Sequence, residues 1–166
     1  MVKTRELAEI INKQIYDLSD AGFAQQCKRE LDEKGVLTLS NFLNANTLKE
    51  LVEEAENGAS QAYYTNSTHN VYLTKINNNF KPEHVINKQL VSSKGCICTD
   101  QIQSDSKLKK LYNSNIFKSF IAAVVGEKSL FPYEDPLSSI NVHYAGAGQE
   151  LNWHFDNSEF AITLLL

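Results

Sequence analysis

Ile140-Asn141-Val142-His143-Tyr144, then Ala145-Gly146-Ala147-Gly148, then Glu150-Leu151-Asn152-Trp153-His154-Phe155-Asp156, is the stretch that sets the expected fold. Its first run alternates apolar and polar residues with period two, the pattern of a half-buried strand. The glycines mark a turn. A second strand is predicted over 150–156, a loop at Asn157-Ser158-Glu159, and a third strand over 161–166.

Upstream the pattern is helical. Leu7, Ile10, Ile11, Ile15 and Leu18 recur at helical spacing. Ser19 or Asp20 can cap a second helix that carries Phe23, Cys27 and Leu31 on one face, with Gly35 just past its end. Val36-Leu37-Thr38-Leu39 reads as a short strand. Thr47-Leu48-Lys49-Glu50 fits a capping box that opens a helix ending near Gly58. Residues 63–103 read as irregular, with strand-like islands at Val71-Tyr72-Leu73-Thr74 and Cys96-Ile97-Cys98. A further apolar stripe runs from Leu108 to Val125, and Gly126 is placed to end it. Helices first and consecutive strands later predict an α+β fold, a single domain over 1–166. Residues 1–130 form a mainly helical support, and 131–166 contribute an antiparallel sheet.

Bulk properties narrow the function classes. The chain has 166 residues, 42% hydrophobic and 22% charged, the balance of a chain that buries a core. A net charge of −4 and no dense Lys/Arg patch argue against nucleic acid as a partner. The first fifteen residues are charged and helical in pattern, without an apolar stretch of signal-peptide type or one long enough to span a membrane. The expected location is cytoplasmic, with no membrane partner. Three cysteines make no disulfide framework, and Cys96 and Cys98 read as two small buried residues rather than metal ligands.

The chemistry is concentrated at His154 and Asp156. On a strand, residues i and i+2 point the same way, so these two would project together while Trp153 and Phe155 face the other side. A neutral imidazole and a carboxylate converging on one point are two legs of the 2-His-1-carboxylate facial triad of non-haem Fe(II), which leaves positions open for a cosubstrate and O₂. The competing reading is a half-buried strand on which His154 and Asp156 bond each other or solvent. Asn141 and His143 share one face of the preceding strand, where they either line a cosubstrate pocket or meet solvent. Asn157 follows the carboxylate directly and either touches substrate or forms a turn. Tyr63, Tyr64 and Tyr72 are lid aromatics or loop anchors. His69 and His84 fall in the irregular region and read as surface residues.

The run Phe131-Pro132-Tyr133-Glu134-Asp135-Pro136-Leu137-Ser138-Ser139-Ile140-Asn141-Val142 and the run from Gly148 to Leu166 resemble bacterial Fe(II)/2-oxoglutarate oxygenases. The resemblance is closest to the group that includes hydroxylases and halogenases of free amino acids. Ser92-Ser93-Lys94-Gly95-Cys96 with Asp100-Gln101-Ile102 resembles the same group. What this implies is a double-stranded β-helix, or jelly-roll, core whose first strands lie in 131–166, with N-terminal helices packed on them. It implies Fe(II) held by His154 and Asp156, 2-oxoglutarate as cosubstrate beside Asn141 and His143, O₂ as oxidant, and a small molecule such as a free amino acid near Asn157. Halogenating relatives carry a small residue in place of the carboxylate, so Asp156 implies hydroxylation.

The resemblance also implies a distal His as third ligand and an Arg beyond it for the 2-oxoglutarate carboxylate, both from later strands than those present. Thr163-Leu164-Leu165-Leu166 is apolar, with no turn or partner strand after it. The expectation is therefore that the natural protein continues, and that an open sheet edge invites a second copy. Two rival expectations stand beside this one: a catalytically inactive fragment, and an iron-free binding or structural module with the same fold.

Overall fold

The structure, a computed structural model, describes residues 7–166; the helical pattern expected for Met1 to Glu6 lies outside the described residues. The architecture is mixed α+β, with four α-helices and one three-stranded antiparallel sheet among the described residues. The chain divides into two compact units. One comprises residues up to Asn57, Thr99–Ile140 and Leu166; the other comprises Gly58–Cys98 and Asn141–Leu165. No described helix is long and apolar enough to cross a membrane.

In the first unit, helix α1 (Ala21–Lys34) forms where its caps are written in the sequence. The Asp20 carboxylate accepts from the Gly22 N–H at 2.7 Å, and Gly35 closes the other end with its N–H on the Leu31 carbonyl. Helix α2 (Ala45–Gly58) starts earlier than the Thr47 capping box predicts. Asn44 is the cap: its side-chain oxygen accepts from the Thr47 N–H at 2.9 Å. Asn caps as well as Thr does. Thr47 lies inside the helix, fully buried, and its hydroxyl donates to the Glu9 carbonyl.

The segment from Leu7 to Leu18 is a correction. Its apolar residues are core as the spacing suggests, apart from the exposed Ile15, but its backbone is helical only at Leu7 and Ala8 and continues as a series of turns. Asn12 N–H donates to Phe42 O, Asn44 N–H donates to Ile10 O, and Ile11 bridges Leu43. Those cross-chain bonds take the backbone groups that a continuous helix would have used. The strand expected at Val36–Leu39 is absent, since those residues have no ladder partner.

The long stripe from Leu108 to Val125 is two helices, α3 (Lys107–Asn113) and α4 (Asn115–Val125). Ser114 stands between them in an extended conformation and accepts from the Phe117 N–H, so it ends one helix and caps the next. Ser106 caps α3 and donates to the Glu54 carboxylate of α2 at 2.8 Å. The core of this unit is aromatic. Tyr16 packs on both Phe23 and Phe42, Phe42 on Phe117, and Phe23 stacks on Phe120 at 5.5 Å.

Gly126 ends α4 at φ 82°, with its N–H on the Ala122 carbonyl. An L side chain in this left-handed conformation costs about 1–2 kcal/mol. Gly126→Ala is therefore expected to lower the urea unfolding midpoint by that amount of stability, with the far-UV circular dichroism of the folded state unchanged.

In the second unit, strands β1 (Tyr63–His69), β2 (Leu90–Ile97) and β3 (Val142–Tyr144) lie in that order, all antiparallel. Tyr64 opposes Gly95, His69 opposes Leu90, and Cys96 opposes His143. The Tyr64 ring lies where a side chain at 95 would be, since a Cβ there would come within 2.6 Å of it. A ring covering a cross-strand glycine shields the backbone that the missing side chain leaves open.

This sheet corrects the irregular reading of 63–103. Val71–Thr74, read as strand-like, is a turn built on the fully buried Asn70, whose side-chain oxygen accepts from Tyr72 N–H and Thr74 N–H while its amide donates to Thr74 O. The strands predicted over 150–156 and 161–166 are not formed. Gly148 at φ 81° and Asn152 at φ 37° turn the backbone out of the extended region, and no ladder runs along either segment.

Candidate metal site

The segment that carries His154 is fastened at both ends within the second unit. Toward β2, Ser93 N–H donates to Glu150 O at 2.8 Å, and the Asn152 amide donates to Val91 O at 3.1 Å. Toward the Asn70 turn, Phe155 N–H donates to Val71 O at 2.8 Å, and the Phe155 ring stacks on Tyr72 at 5.6 Å. His154 sits between these two attachments. The left-handed Asn152 aims its own carbonyl at the His154 ring, where Nδ1 lies 2.9 Å from it.

His154 and Asp156 do come together, although not through a strand. Nε2 of His154 is 3.4 Å from Oδ1 of Asp156, with side-chain exposures of 26% and 54%. A carbonyl oxygen only accepts, so Nδ1 of His154 carries its proton. Nε2 then faces a carboxylate oxygen, either as a second N–H that donates to it or as a lone pair beside it. Two lone-pair atoms at that separation repel unless a cation or a second proton lies between them. The atoms that a divalent ion would take here are one imidazole Nε2 and one carboxylate oxygen, with the other imidazole nitrogen on a carbonyl.

His69, read from the sequence as a surface residue, lies beside this pair. It is half-buried at the end of β1, and its ring meets the His154 ring edge to face with centroids 5.4 Å apart. Its Nδ1 lies 3.0 Å from the Asn70 carbonyl and so carries a proton by the same reasoning. The buried Asn70 thus holds both the residue before it and the turn that receives Phe155. Nothing in the sequence around His69 signals this, because the partner ring is supplied from the far end of the chain.

The other expected residues gather elsewhere in the unit. The Lys94 ammonium donates to Nε2 of His143 at 3.3 Å, since ammonium has no lone pair to accept with. Burial, and then the Lys94 charge, hold the His143 imidazole below its usual range, so it remains neutral. Asn141 accepts from the Cys96 thiol, which burial pushes up and keeps protonated. Asn157 is exposed in the bend after Asp156. His84 packs on Phe80 in the connection between β1 and β2. The surface depressions lined by Asn44 and Lys107, and by Leu18 and Phe120, belong to the first unit and include none of these residues.

Among the described residues, no group of three or more His, Cys, Asp or Glu side chains is placed to hold a metal ion. Compared with known protein families, curated proteins and solved structures, the chain matches none of them.

Proposed function

We propose that this chain carries the metal site of an Fe(II)/2-oxoglutarate-dependent oxygenase that hydroxylates a small molecule, a free amino acid being the class the sequence resemblance favours. The observation that carries the reading is the His154–Asp156 pair, 3.4 Å apart with Nδ1 of His154 committed to a carbonyl. The three-stranded sheet is, on this reading, part of a jelly-roll core, and the protein works in the cytoplasm.

When bound, Fe(II) with 2-oxoglutarate and O₂ supplies the oxidising power for C–H hydroxylation; the protein holds and orients the reactants. His154 and Asp156 hold the metal. The Asn152 carbonyl keeps the His154 proton on Nδ1, so that Nε2 stays available. A carboxylate at 156 occupies the position that a halide would need, so hydroxylation is the outcome and halogenation is not. Asn141 and His143 line the cosubstrate side. Lys94, held against His143, brings a positive charge there that suits a 2-oxoglutarate carboxylate. Asn157 contacts the substrate.

The test is an anaerobic titration of the protein with Fe(II) and then 2-oxoglutarate. A visible charge-transfer band should appear only when both are present, and admission of air should convert 2-oxoglutarate to succinate. A protein that retains no Fe(II) and shows no band would instead be an iron-free module.

A further inference from the structure

We infer that the chain forms a two-fold dimer in which β1 pairs antiparallel with β1 of a second copy, so that two three-stranded sheets become one. The pairing is independent of the proposed metal chemistry.

What lies across β2 settles which way β1 turns its backbone. In an antiparallel ladder, alternate residues give both backbone groups to one neighbour, and the residues between turn theirs the other way. Ser93 opposes Asn66, yet its N–H donates to Glu150 and not to β1. Asn66 and Ser93 are therefore a pair that exchanges no bonds, and Asn66 turns its N–H and C=O away from β2. Tyr64 and Thr68 do the same by alternation. Val91, opposite Thr68, agrees: its carbonyl accepts from the Asn152 amide, as Ser93 N–H donates to the same segment. β1 is the end strand of the sheet, and among the described residues no backbone group bonds the outward N–H and C=O of Tyr64, Asn66 and Thr68. All three residues are exposed.

β1 also lacks what usually keeps such an edge single. Native edges are blunted by charge, proline, a bulge or shortness. β1 is seven residues long, and its register with β2 is unbroken. Tyr-Tyr-Thr-Asn-Ser-Thr-His contains no Lys, Arg, Asp, Glu or Pro.

The same alternation selects a second copy and its register. Opposed residues must both turn their backbone groups toward each other, so β1 fits its copy only where the two opposed numbers are both even or both odd. Centring the pair on Asn66 meets this and uses the whole strand. Asn66 then opposes the partner's Asn66, Tyr64 the partner's Thr68, and Thr65 the partner's Ser67. About six N–H···O bonds form, and no charge meets a like charge. The contact is self-complementary, so it closes at two copies. The partner's Tyr63 comes to lie opposite His69, whose ring meets that of His154, so a second chain reaches the rim of the candidate site.

Sedimentation velocity and light scattering of the full chain should give twice the chain mass. Asn66→Lys sets two ammonium groups opposite each other. It should weaken the dimer at least about tenfold, with unchanged far-UV circular dichroism. Asn66→Cys should form a covalent dimer under mild oxidation, because opposed Cα atoms lie about 5.5 Å apart, within disulfide reach. Tyr63→Cys should not, since its counterpart lies about 20 Å away along the strand; nor should the parent with its own cysteines. Where the lysine is tolerated, the cross-link decides. A monomeric parent overturns the inference and leaves the edge to a strand of other origin. A dimer in which Asn66→Cys fails to cross-link overturns it in favour of another face, and an assembly that grows beyond two copies overturns the two-fold closure.

Discussion

Asp156→Ala is expected to remove the Fe(II)–2-oxoglutarate charge-transfer band and to weaken Fe(II) binding by more than about 100-fold, the upper end of what disturbing a ligand's supporting partner costs. The carboxylate is the only anionic donor in the site as described, and its oxygen already stands 3.4 Å from Nε2 of His154. On the proposed reading, removing it deletes one ligand and the negative charge that offsets the cation. At about 1.4 kcal/mol per tenfold, the change corresponds to roughly 3 kcal/mol or more of binding free energy. Asp156 is half-exposed and far from any core, so the variant should unfold at the same denaturant concentration as the parent. Asp156→Asn separates charge from shape. It keeps an oxygen donor but not the charge, and it should recover only a small part of the affinity. An Asp156→Ala protein that still gave the full band would show that the metal lies elsewhere.

The largest effect on stability is expected at Phe120. Its ring is 2% exposed and stacks on Phe23 with an interplanar angle of 10°, at one end of the run of rings through Tyr16 and Phe42 to Phe117. Truncation to alanine removes the buried ring and leaves a cavity between α1 and α4, at a cost of about 3–5 kcal/mol. Domains of this size hold about 5–15 kcal/mol in total. Phe120→Ala should therefore lower the urea midpoint of the helical unit steeply, and the protein should bind hydrophobic dyes. Phe120→Leu should recover much of the loss, because it refills most of the volume.

Much of the helical unit was legible because its signals are local. Asp20 and Gly35 mark the ends of α1, and Gly126 marks the end of α4; each acts within four residues of itself. Ser114 was overlooked since apolar periodicity runs straight across it, although a serine between two helical stretches is a cap signal in its own right. The sheet was far less legible. β1 is Tyr-Tyr-Thr-Asn-Ser-Thr-His, largely exposed, so it lacks the apolar alternation that announces a strand, and only its pairing with β2 makes it one.

The opposite error occurred over 150–166, where alternation is present and no ladder forms. His154 and Asp156 meet for another reason. Asn152 bends the chain, and bonds to Val91 and Val71 pin the segment on either side. His69 reads as a surface residue because the ring it touches lies in a different part of the chain.

Asn70 gives the site a property that would matter to a geneticist. It is fully buried, bonds to Thr74 and Tyr72, offers its carbonyl to His69, and precedes the residue that anchors Phe155. A loss-of-function screen would score Asn70 alongside the proposed metal ligands, since replacing it would release both histidine-bearing segments at once. A map of essential positions would therefore draw the proposed site one residue too wide, and only metal binding measured apart from folding would return Asn70 to its role as the knot that ties two loops together.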